Sequence, residues 1–249
     1  MSRYFTIASG IHAVEAVLQR TPDRVETLLL RDGRLNTRLA NLQALAQAVN
    51  VRIERVPAER LDQLAEGARH QGVAVRYQSA PVLNEAGLMR LLDELDASPL
   101  LLLLDGVTDP HNLGACLRTA DATGVDAVVV PRDQAAGLTP TVRKIASGAA
   151  ESVPFVQVTN LARTMDQLKK RGIWITGAAD AAASSLYQHD LTGPLAIAMG
   201  AEGKGLRRMT RERCDFLVSI PMLGQVESLN VSVATGVMLY EALRQRKKT

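Results

Sequence analysis

The sequence has 249 residues, of which 47% are hydrophobic and 22% charged, and its formal net charge is +3. This composition is ordinary for a globular protein, and the length suits one large α/β domain or two smaller ones. No apolar run approaches the ~20 residues that span a bilayer, and polar His12 and Glu15 come too early for a signal-peptide core, so we expect no membrane partner. Cys116 and Cys214 lie far apart without a C-x-x-C pair, which predicts a cytoplasmic protein without a structural metal.

Residues 1–78 predict a small, basic α/β domain. They carry 11 arginines against 8 carboxylates and contain no lysine. Apolar residues at helical spacing predict helices at 10–18, 39–49 and 61–68. Alternating or continuous apolar stretches predict strands at 25–30, 51–56 and 72–75. The arginine excess is compatible with a polyanionic partner such as nucleic acid.

The stretch 79–97 predicts a linker between two domains. It has one arginine and four carboxylates, and prolines stand at 81 and 99. Apolar spacing within it predicts one helix at 88–95.

Residues 98–249 predict a doubly wound α/β domain with a mostly parallel sheet. Apolar runs typical of strands in such a sheet occur at 100–104, 125–130, 173–176, 195–199 and 217–220. Amphipathic helices are predicted between or after them at 113–122, 161–171 and 229–246. Ligands of such folds bind beyond the carboxyl ends of the strands, so the loops that follow the strands form the candidate site.

The first of three unusual loops follows the strand 100–104 and reads D-G-V-T-D-P-H-N-L-G-A-C-L-R. Asn112 is a candidate helix N-cap, and Arg118 lies six residues further on, inside the helix. Taken alone, this loop also fits a capped helix with a solvated arginine.

The other two loops follow the strands 195–199 and 217–220. The second reads G-A-E-G-K-G-L, and its three glycines permit positive φ and close backbone approach around Glu202. The third reads P-M-L-G-Q-V-E-S-L-N, in which Ser228 is a candidate N-cap and Asn230 falls in the first turn of the last helix. Alone, the second loop also fits an ordinary turn.

Other catalytic templates do not fit the sequence. The second loop lacks a glycine four positions before Gly203 and has Gly205 where a Walker A motif needs serine or threonine. Neither G-x-S-x-G nor H-E-x-x-H occurs, and the four histidines are scattered. An aromatic content of 3% argues against a base-stacking RNA platform.

Together the three loops resemble the three motifs of the SPOUT superfamily of RNA methyltransferases, in its SpoU/TrmH branch. The matching segments are N-L-G-A-C-L-R, M-G-A-E-G-K-G-L and I-P-M-L-G-Q-V-E-S-L-N-V-S-V-A, in the same order and at similar separation. Near the start, G-I-H-A-V-E-A-V-L and His70-Gln71-Gly72 resemble the N-terminal domain of the 23S rRNA guanosine 2′-O-methyltransferases of this branch. The resemblance extends over nearly the whole chain.

The resemblance implies a catalytic domain with a trefoil knot, a homodimer with its active site near the subunit interface, and a first domain that is ribosomal-protein-like and binds RNA. It implies S-adenosylmethionine as cofactor, bound largely through backbone at Gly200, Ile220 and Leu229. The implied reaction methylates a guanosine 2′-hydroxyl in the peptidyl-transferase region of 23S rRNA. Two alternatives are a tRNA ribose methyltransferase of the same branch and a non-catalytic RNA-binding assembly factor.

By motif position, the resemblance also implies a catalytic surface formed by Asn112, Arg118, Glu202, Ser228 and Asn230. The protein must position the ribose oxygen and assist its deprotonation. Because guanidinium groups keep their proton at neutral pH, we favour Arg118 as a ligand of phosphate and of the developing oxyanion rather than as a general base. Glu202 would hold Arg118 or Asn112 in place. Arginines within 20–69 and the basic run 204–208 are candidate RNA contacts.

Overall fold

The structure, a computed structural model of the chain, describes residues 5–65, 67, 69–180 and 182–247. The chain divides into two compact units, one up to Ala80 and one from Pro81 onward. No helix within the described ranges combines the length and apolar character that a bilayer crossing requires.

The first unit is a four-stranded mixed sheet covered by helices on both faces. Its strands, in the order β1-β4-β2-β3, are β1 (Phe5–Ser9), β2 (Val25–Arg31), β3 (Arg52–Val56) and β4 (Val73–Gln78). Its helices are α1 (Ile11–Arg20), α2 (Thr37–Ala48) and α3 (Ala58–Ala65). Strand β4 is antiparallel to β1 and β2, whereas β2 and β3 are parallel. The buried residues of α1 and α2 pack with Leu28 and Leu30 in one apolar cluster, and α3 packs with Leu29 in another.

The elements predicted for this unit are confirmed, with small shifts at their ends. Strand β1 was not predicted from the sequence, and α3 begins three residues before its predicted start. Residues 66 and 68 of that predicted helix lie outside the described residues. The His70-Gln71-Gly72 segment contacts the start of α1. Oε1 of Gln71, a residue with a positive φ of 54°, accepts a hydrogen bond from the backbone N of Ile11 at 3.1 Å.

The second unit contains a seven-stranded sheet in the order β7-β6-β5-β10-β8-β11-β9, in which every pairing is parallel. Its strands are β5 (Leu100–Asp105), β6 (Ala127–Pro131), β7 (Phe155–Val158), β8 (Trp174–Ala178), β9 (Ser184–Ser185), β10 (Leu195–Gly200) and β11 (Phe216–Ser219). Its helices are α4 (Glu85–Asp93), α5 (Pro110–Ala122), α6 (Pro140–Ala146), α7 (Ala149–Ser152), α8 (Leu161–Lys170), α9 (Arg208–Arg213) and α10 (Val231–Arg246). The predicted mixed α/β class with a mostly parallel sheet is confirmed. The trefoil knot stays a prediction.

The unbroken leucine run of β5 reflects burial on both faces of this sheet. Leu102 and Leu104 belong to the cluster that includes buried residues of α5 and α10, whereas Leu101 and Leu103 belong to the cluster that includes those of α8. All five leucines of β5 are at most 2% exposed. Because side chains alternate between faces of a strand, only a continuous apolar run can fill both layers.

Part of the predicted linker packs within the second unit. The backbone N of Leu83 donates to the carbonyl of Phe155 at 2.9 Å, and the Leu83 carbonyl accepts from the backbone N of Gln157 at 2.8 Å. Helix α4 follows at once and buries Leu88 in the same layer as α8. The acidic composition and the flanking prolines indicated a boundary near this stretch. They did not predict that Leu83 and α4 pack against the second unit.

Candidate active site

A cavity of about 550 Å³ opens at the carboxyl ends of β8, β10 and β11. The segments 178–180, 199–206, 218–222 and 226–229 line it, and Arg211, Val231 and Ala234 complete it. Gly200, Ile220 and Leu229, the three candidate cofactor residues, are all among these lining residues. The cavity therefore lies at the sheet edge where a parallel α/β fold binds ligands.

The backbone at the cavity wall leaves no room for a side chain at Gly200. A Cβ atom at this position would lie 2.0 Å from the carbonyl carbon of Gly205 and 2.2 Å from the backbone N of Leu206. Close backbone approach was anticipated from the sequence, but here the approaching group is the protein loop itself. Any side chain at Gly200 would displace this wall.

The loop after β10 folds back on itself. The backbone N of Gly205 donates to the carbonyl of Ala201 at 2.9 Å, and the N of Ala201 donates to the Gly205 carbonyl at 3.2 Å. Gly203 and Gly205 have φ values of 71° and 63°, which few other residues adopt at low cost. This turn carries Glu202 to the edge of the cavity.

Three side chains from the three motif loops meet in one polar cluster. The amide nitrogen of Asn112 donates to Oε2 of Glu202 at 3.2 Å. The amide nitrogen of Asn230 donates to Oδ1 of Asn112 at 2.9 Å and approaches the same Glu202 oxygen at 3.3 Å. The carboxylate of Glu202 thus accepts from both amides, which fixes the orientation of each asparagine.

Two helix caps differ from those predicted. Asp109, not Asn112, is the N-cap of α5, and its Oδ1 accepts from the backbone N of His111 at 3.1 Å. Pro110 occupies the first helical position, so Asn112 stands in the first turn with its side chain free to bind Glu202. The predicted cap was wrong because asparagine and aspartate both favour this position and the loop contains both.

At α10, Asn230 is the N-cap in place of Ser228. Its Oδ1 accepts from the backbone N of Ser232 at 2.9 Å and from the Ser232 hydroxyl at 2.6 Å. Asn230 thus caps the helix through its oxygen and reaches the polar cluster through its nitrogen. Ser228 lines the cavity on the preceding loop.

Arg118 lies apart from the polar cluster within the chain. It is an exposed residue of α5, six positions beyond Asn112, and no hydrogen bond or ion pair joins it to another described residue. At 100° per residue, this separation turns the two side chains about 120° apart around the helix. Of the two partners considered for Glu202, the structure shows Asn112 and not Arg118.

An ion pair with a buried carboxylate, which was not predicted from the sequence, anchors the loop after β10. Asp105, the last residue of β5, is 0% exposed and binds the guanidinium of Arg207. Arg207 belongs to the basic run 204–208 that was a candidate RNA contact. Because 102 positions separate Arg207 from Asp105 in the chain, no local sequence pattern predicts this pair.

Neither cysteine offers a nucleophile to this site. Burial raises the pKa of the Cys116 thiol to about 11, and the Cys116 Sγ lies 3.6 Å from the hydroxyl of Thr235 between α5 and α10. Burial, reinforced by Asp215, raises the pKa of the Cys214 thiol to about 12. Among the described residues, no group of three or more histidine, cysteine or carboxylate side chains is placed to hold a metal ion. The site therefore offers amides, a carboxylate and a ligand cavity.

Comparison with known proteins identifies the family. Residues 99–240 match the profile of the SpoU rRNA Methylase family, and residues 7–82 match that of the RNA 2′-O ribose methyltransferase substrate-binding domain. The chain belongs to the SpoU rRNA methylase family.

Relatives of nearly the same length are similar over almost the whole chain. The 23S rRNA (guanosine-2′-O-)-methyltransferase RlmB of Pseudomonas putida is 56% identical over 238 residues, which cover 96% of each protein. The protein of the same name from Pseudomonas syringae pv. tomato is 58% identical, over 95% of this chain and 94% of that protein.

The fold also matches solved structures. The SpoU methyltransferase AviRb from Streptomyces viridochromogenes, in complex with the cofactor AdoMet, superposes with a TM-score of 0.78 at 26% identity, over 98% of this chain and 92% of that one.

Proposed function

We propose that this chain transfers a methyl group from S-adenosylmethionine to the ribose 2′-hydroxyl of a guanosine in the peptidyl-transferase region of 23S rRNA. The observation that carries the proposal is the cluster of Asn112, Glu202 and Asn230 at the rim of the cavity. These three residues come from three separate motifs that family resemblance assigns to catalysis. The names of the full-length relatives support the reaction and its rRNA target.

The cavity suits S-adenosylmethionine in size and in chemistry. A volume of about 550 Å³ falls within the range of roughly 300–1,000 Å³ typical of small-molecule sites. Gly200, Ile220 and Leu229 would hold the cofactor at this wall, and backbone groups of the glycine-rich loop supply donors and acceptors. When bound, the cofactor supplies an electrophilic methyl group on a sulfonium.

The residues of the chain position the ribose and assist loss of its hydroxyl proton, which passes to solvent as the 2′-oxygen takes the methyl group. Asn230 and Glu202 orient Asn112, which presents its amide to the sugar, and Ser228 adds a hydroxyl from the cavity wall. Arg118 binds the phosphate beside the target nucleotide and stabilises negative charge as it develops on the 2′-oxygen. Its exposure and its lack of a described partner leave the guanidinium available for that phosphate.

We further propose that the chain is a cytoplasmic homodimer that needs no metal, with its active site near the subunit interface. Four large apolar side chains on α10 and the preceding loop are at least half exposed in the single chain: Leu223, Val226, Val233 and Tyr240. Exposed apolar side chains that lie together support a surface that a second subunit covers. Val233 and Tyr240 are seven residues apart and so share one face of α10. Light scattering coupled to gel filtration measures the mass, and a monomer at micromolar concentration would contradict the dimer.

The division into functional domains is part of the same proposal. Residues 1–78 bind the RNA substrate, 79–97 connect, and 98–249 carry out methyl transfer. The match of residues 7–82 to a substrate-binding domain supports the first role. Docking of Leu83 and α4 onto the second unit indicates that only the start of the connecting stretch stands free of it.

The experiment that tests the function is methyl transfer to defined RNA. The purified chain is incubated with S-adenosylmethionine carrying a labelled methyl group and, in parallel reactions, with 23S rRNA or with tRNA from cells that lack the enzyme. We expect one 2′-O-methylguanosine, located by mass spectrometry of nuclease fragments. Label in tRNA but not in rRNA would favour the tRNA alternative. No heat on titration with the cofactor would favour an RNA-binding factor without catalysis.

A further inference from the structure

The contact between Asp105 and Arg207 is multidentate, and it joins a fully buried carboxylate to an arginine side chain that is 44% exposed. Oδ2 of Asp105 accepts from the backbone N of Arg207 at 2.9 Å, and Oδ1 accepts from Nε of the guanidinium at 2.5 Å. The Nη2 atom lies 2.5 Å from the same Oδ1. One carboxylate therefore holds both the main chain and the side chain of Arg207, a geometry much more restrictive than a surface ion pair.

This contact closes the loop that forms the cavity wall. Gly200, where the loop begins, is paired with Asp105 in the β5–β10 register, and Arg207, where the loop ends, is bound to the Asp105 side chain. Both ends of the loop are thus fixed to one residue. A third loop joins the contact, because Nη1 of Arg207 donates to Oε1 of Gln134 at 3.3 Å.

The loop needs such an anchor because its own sequence supplies little rigidity. Gly203 and Gly205 have positive φ, and a Cβ atom added at either position would meet no other atom within 4 Å. No side chain of the loop therefore packs at these two positions, and backbone hydrogen bonds between Ala201 and Gly205 hold the turn. Glu202, which joins the two asparagines, stands between these glycines and β10. A shift of the loop would move the Glu202 carboxylate away from both amides.

We propose that Asp105 and Arg207 are positioning residues for methyl transfer, acting by fixing the 200–207 loop so that Glu202 meets Asn112 and Asn230. The inference rests on the proposed function and deepens it. It also separates two neighbours in the basic run: Arg207 is committed to a buried carboxylate, whereas the side chain of Arg208 is 83% exposed and has only a 3.7 Å contact with Glu212. Lys204 and Arg208 therefore remain candidate RNA contacts of this run, whereas the guanidinium of Arg207 is assigned to Asp105.

The test is a double-mutant cycle between the anchor and the residue it positions. Asp105→Asn removes the charge with little change of shape, and Glu202→Gln removes the carboxylate of the cluster. At saturating cofactor and RNA we expect Asp105→Asn alone to lower kcat by at least about tenfold, since misplacement by 1 Å can cost ~10²-fold. In the Glu202→Gln background the same change should cost less than about twofold, because the positioned group is already gone.

Arg207 gives an independent arm if Asp105→Asn does not fold. Arg207→Gln should reproduce the loss, and Arg207→Lys, which keeps a cation near Asp105, should recover part of it. The matched control is Arg171→Lys, because Arg171 forms a 2.6 Å ion pair with Asp93 on the exposed surface. We expect its kcat to stay within about twofold of the wild type.

Cofactor binding gives a readout that does not require methyl transfer. Because the anchored loop lines the cavity, we expect calorimetry to show S-adenosylmethionine affinity about tenfold weaker in Arg207→Gln than in the wild type, with Arg171→Lys unchanged. Unchanged affinity in folded Arg207→Gln, or anchor and Glu202 effects that simply multiply, would overturn the inference. An inactive wild type that still shows the affinity loss would instead count against the proposed function alone.

Discussion

The amide nitrogen of Asn230 donates to Oδ1 of Asn112 at 2.9 Å, although the two residues lie 118 positions apart in the chain. Asn230 opens α10 and Asn112 stands in the first turn of α5, so the contact joins the starts of two packed helices. The same two amides share Glu202. Each asparagine is therefore oriented by the other two members of the cluster.

Replacing Asn230 can separate its two roles. Asn230→Asp keeps an oxygen to cap α10 but replaces the amide donor by a second carboxylate beside Glu202. We expect methyl transfer to fall by ~10²-fold or more, because the cluster loses its orientation and gains charge repulsion, while the free energy of unfolding changes little. Single-turnover methylation and urea denaturation measure the two effects.

Asn230→Ala is the matched variant, because it removes the cap as well. We expect it to lose activity and also about 1 kcal/mol of stability. If Asn230→Asp transferred methyl groups at the wild-type rate, the amide of Asn230 would have no part in catalysis.

Gly200→Ala should weaken the binding of S-adenosylmethionine strongly and change the free energy of unfolding less. The added Cβ atom would meet Gly205 backbone at 2.0 Å, so the loop has to move out of place. We expect affinity for S-adenosylmethionine to fall by at least ~10²-fold, as judged by calorimetry. Gly137→Ala is the control, since its nearest atom would be a side-chain nitrogen at 3.6 Å. Equal affinity of the two variants would refute the role of Gly200 in shaping the cavity wall.

The parallel sheet and its ligand edge were predictable because burial on both faces leaves a strong signal in the sequence. The run Leu100–Leu104 is a clear example. The short strand β7 and the helices α6, α7 and α9 were missed, because segments of four to seven residues show too little periodicity. For α6 a signal did exist, since Thr139 caps it and Pro140 occupies its first position.

Candidate site residues were found by motif, whereas their contacts depended on the tertiary fold. The loop positions of Asn112, Glu202 and Asn230 identify them in sequence, but which amide meets the carboxylate depends on rotamers and on helix starts. Asp105 escaped notice because an aspartate that ends a strand is common and its partner Arg207 reads as one more surface cation. Only the fold shows that the Asp105 carboxylate is buried and that it binds Arg207.

Arg118→Ala should lower turnover by ~10²-fold or more while cofactor affinity stays the same. The side chain has no described partner within the chain and lies outside the cavity lining, so its proposed ligand is RNA phosphate. Arg118→Lys keeps a charge but loses two-pronged binding, and we expect an intermediate rate. Single-turnover methylation at saturating cofactor is the measurement. A wild-type rate for the alanine variant would remove Arg118 from the mechanism.

Removal of residues 1–78 should weaken RNA binding without weakening cofactor binding. The deleted part carries 11 arginines, and phosphate contacts release counterions, so both the affinity and its dependence on salt should fall. We expect at least about a tenfold loss in a filter-binding assay with an rRNA fragment at about 0.1 M salt. Calorimetry with S-adenosylmethionine checks that the remaining chain is folded. Full RNA affinity in the shortened chain would show that the first unit is not the substrate-binding domain.

His189 should make the second unit less stable in mild acid. Burial lowers the pKa of its imidazole, and the neighbouring Asp190 opposes this shift only in part. The ring packs against Phe216 with centroids 4.6 Å apart, and Nε2 lies 3.2 Å from the hydroxyl of Thr176, which suits a neutral ring that accepts a hydrogen bond. Below the usual histidine pKa of about 6.5, the unfolded chain takes up a proton that the folded chain resists.

The sign of the effect follows from this difference in proton uptake. Because the unfolded state binds more protons, the free energy of unfolding rises with pH through this range, so the contribution of His189 is full above about pH 6.5 and is lost as the pH falls below it. His189→Gln keeps a polar partner for Thr176 but cannot titrate. We therefore expect urea denaturation between about pH 7.5 and 5.5 to show a smaller drop for His189→Gln than for the wild type. Identical drops in the two proteins would mean that the folded and unfolded states bind the His189 proton equally well.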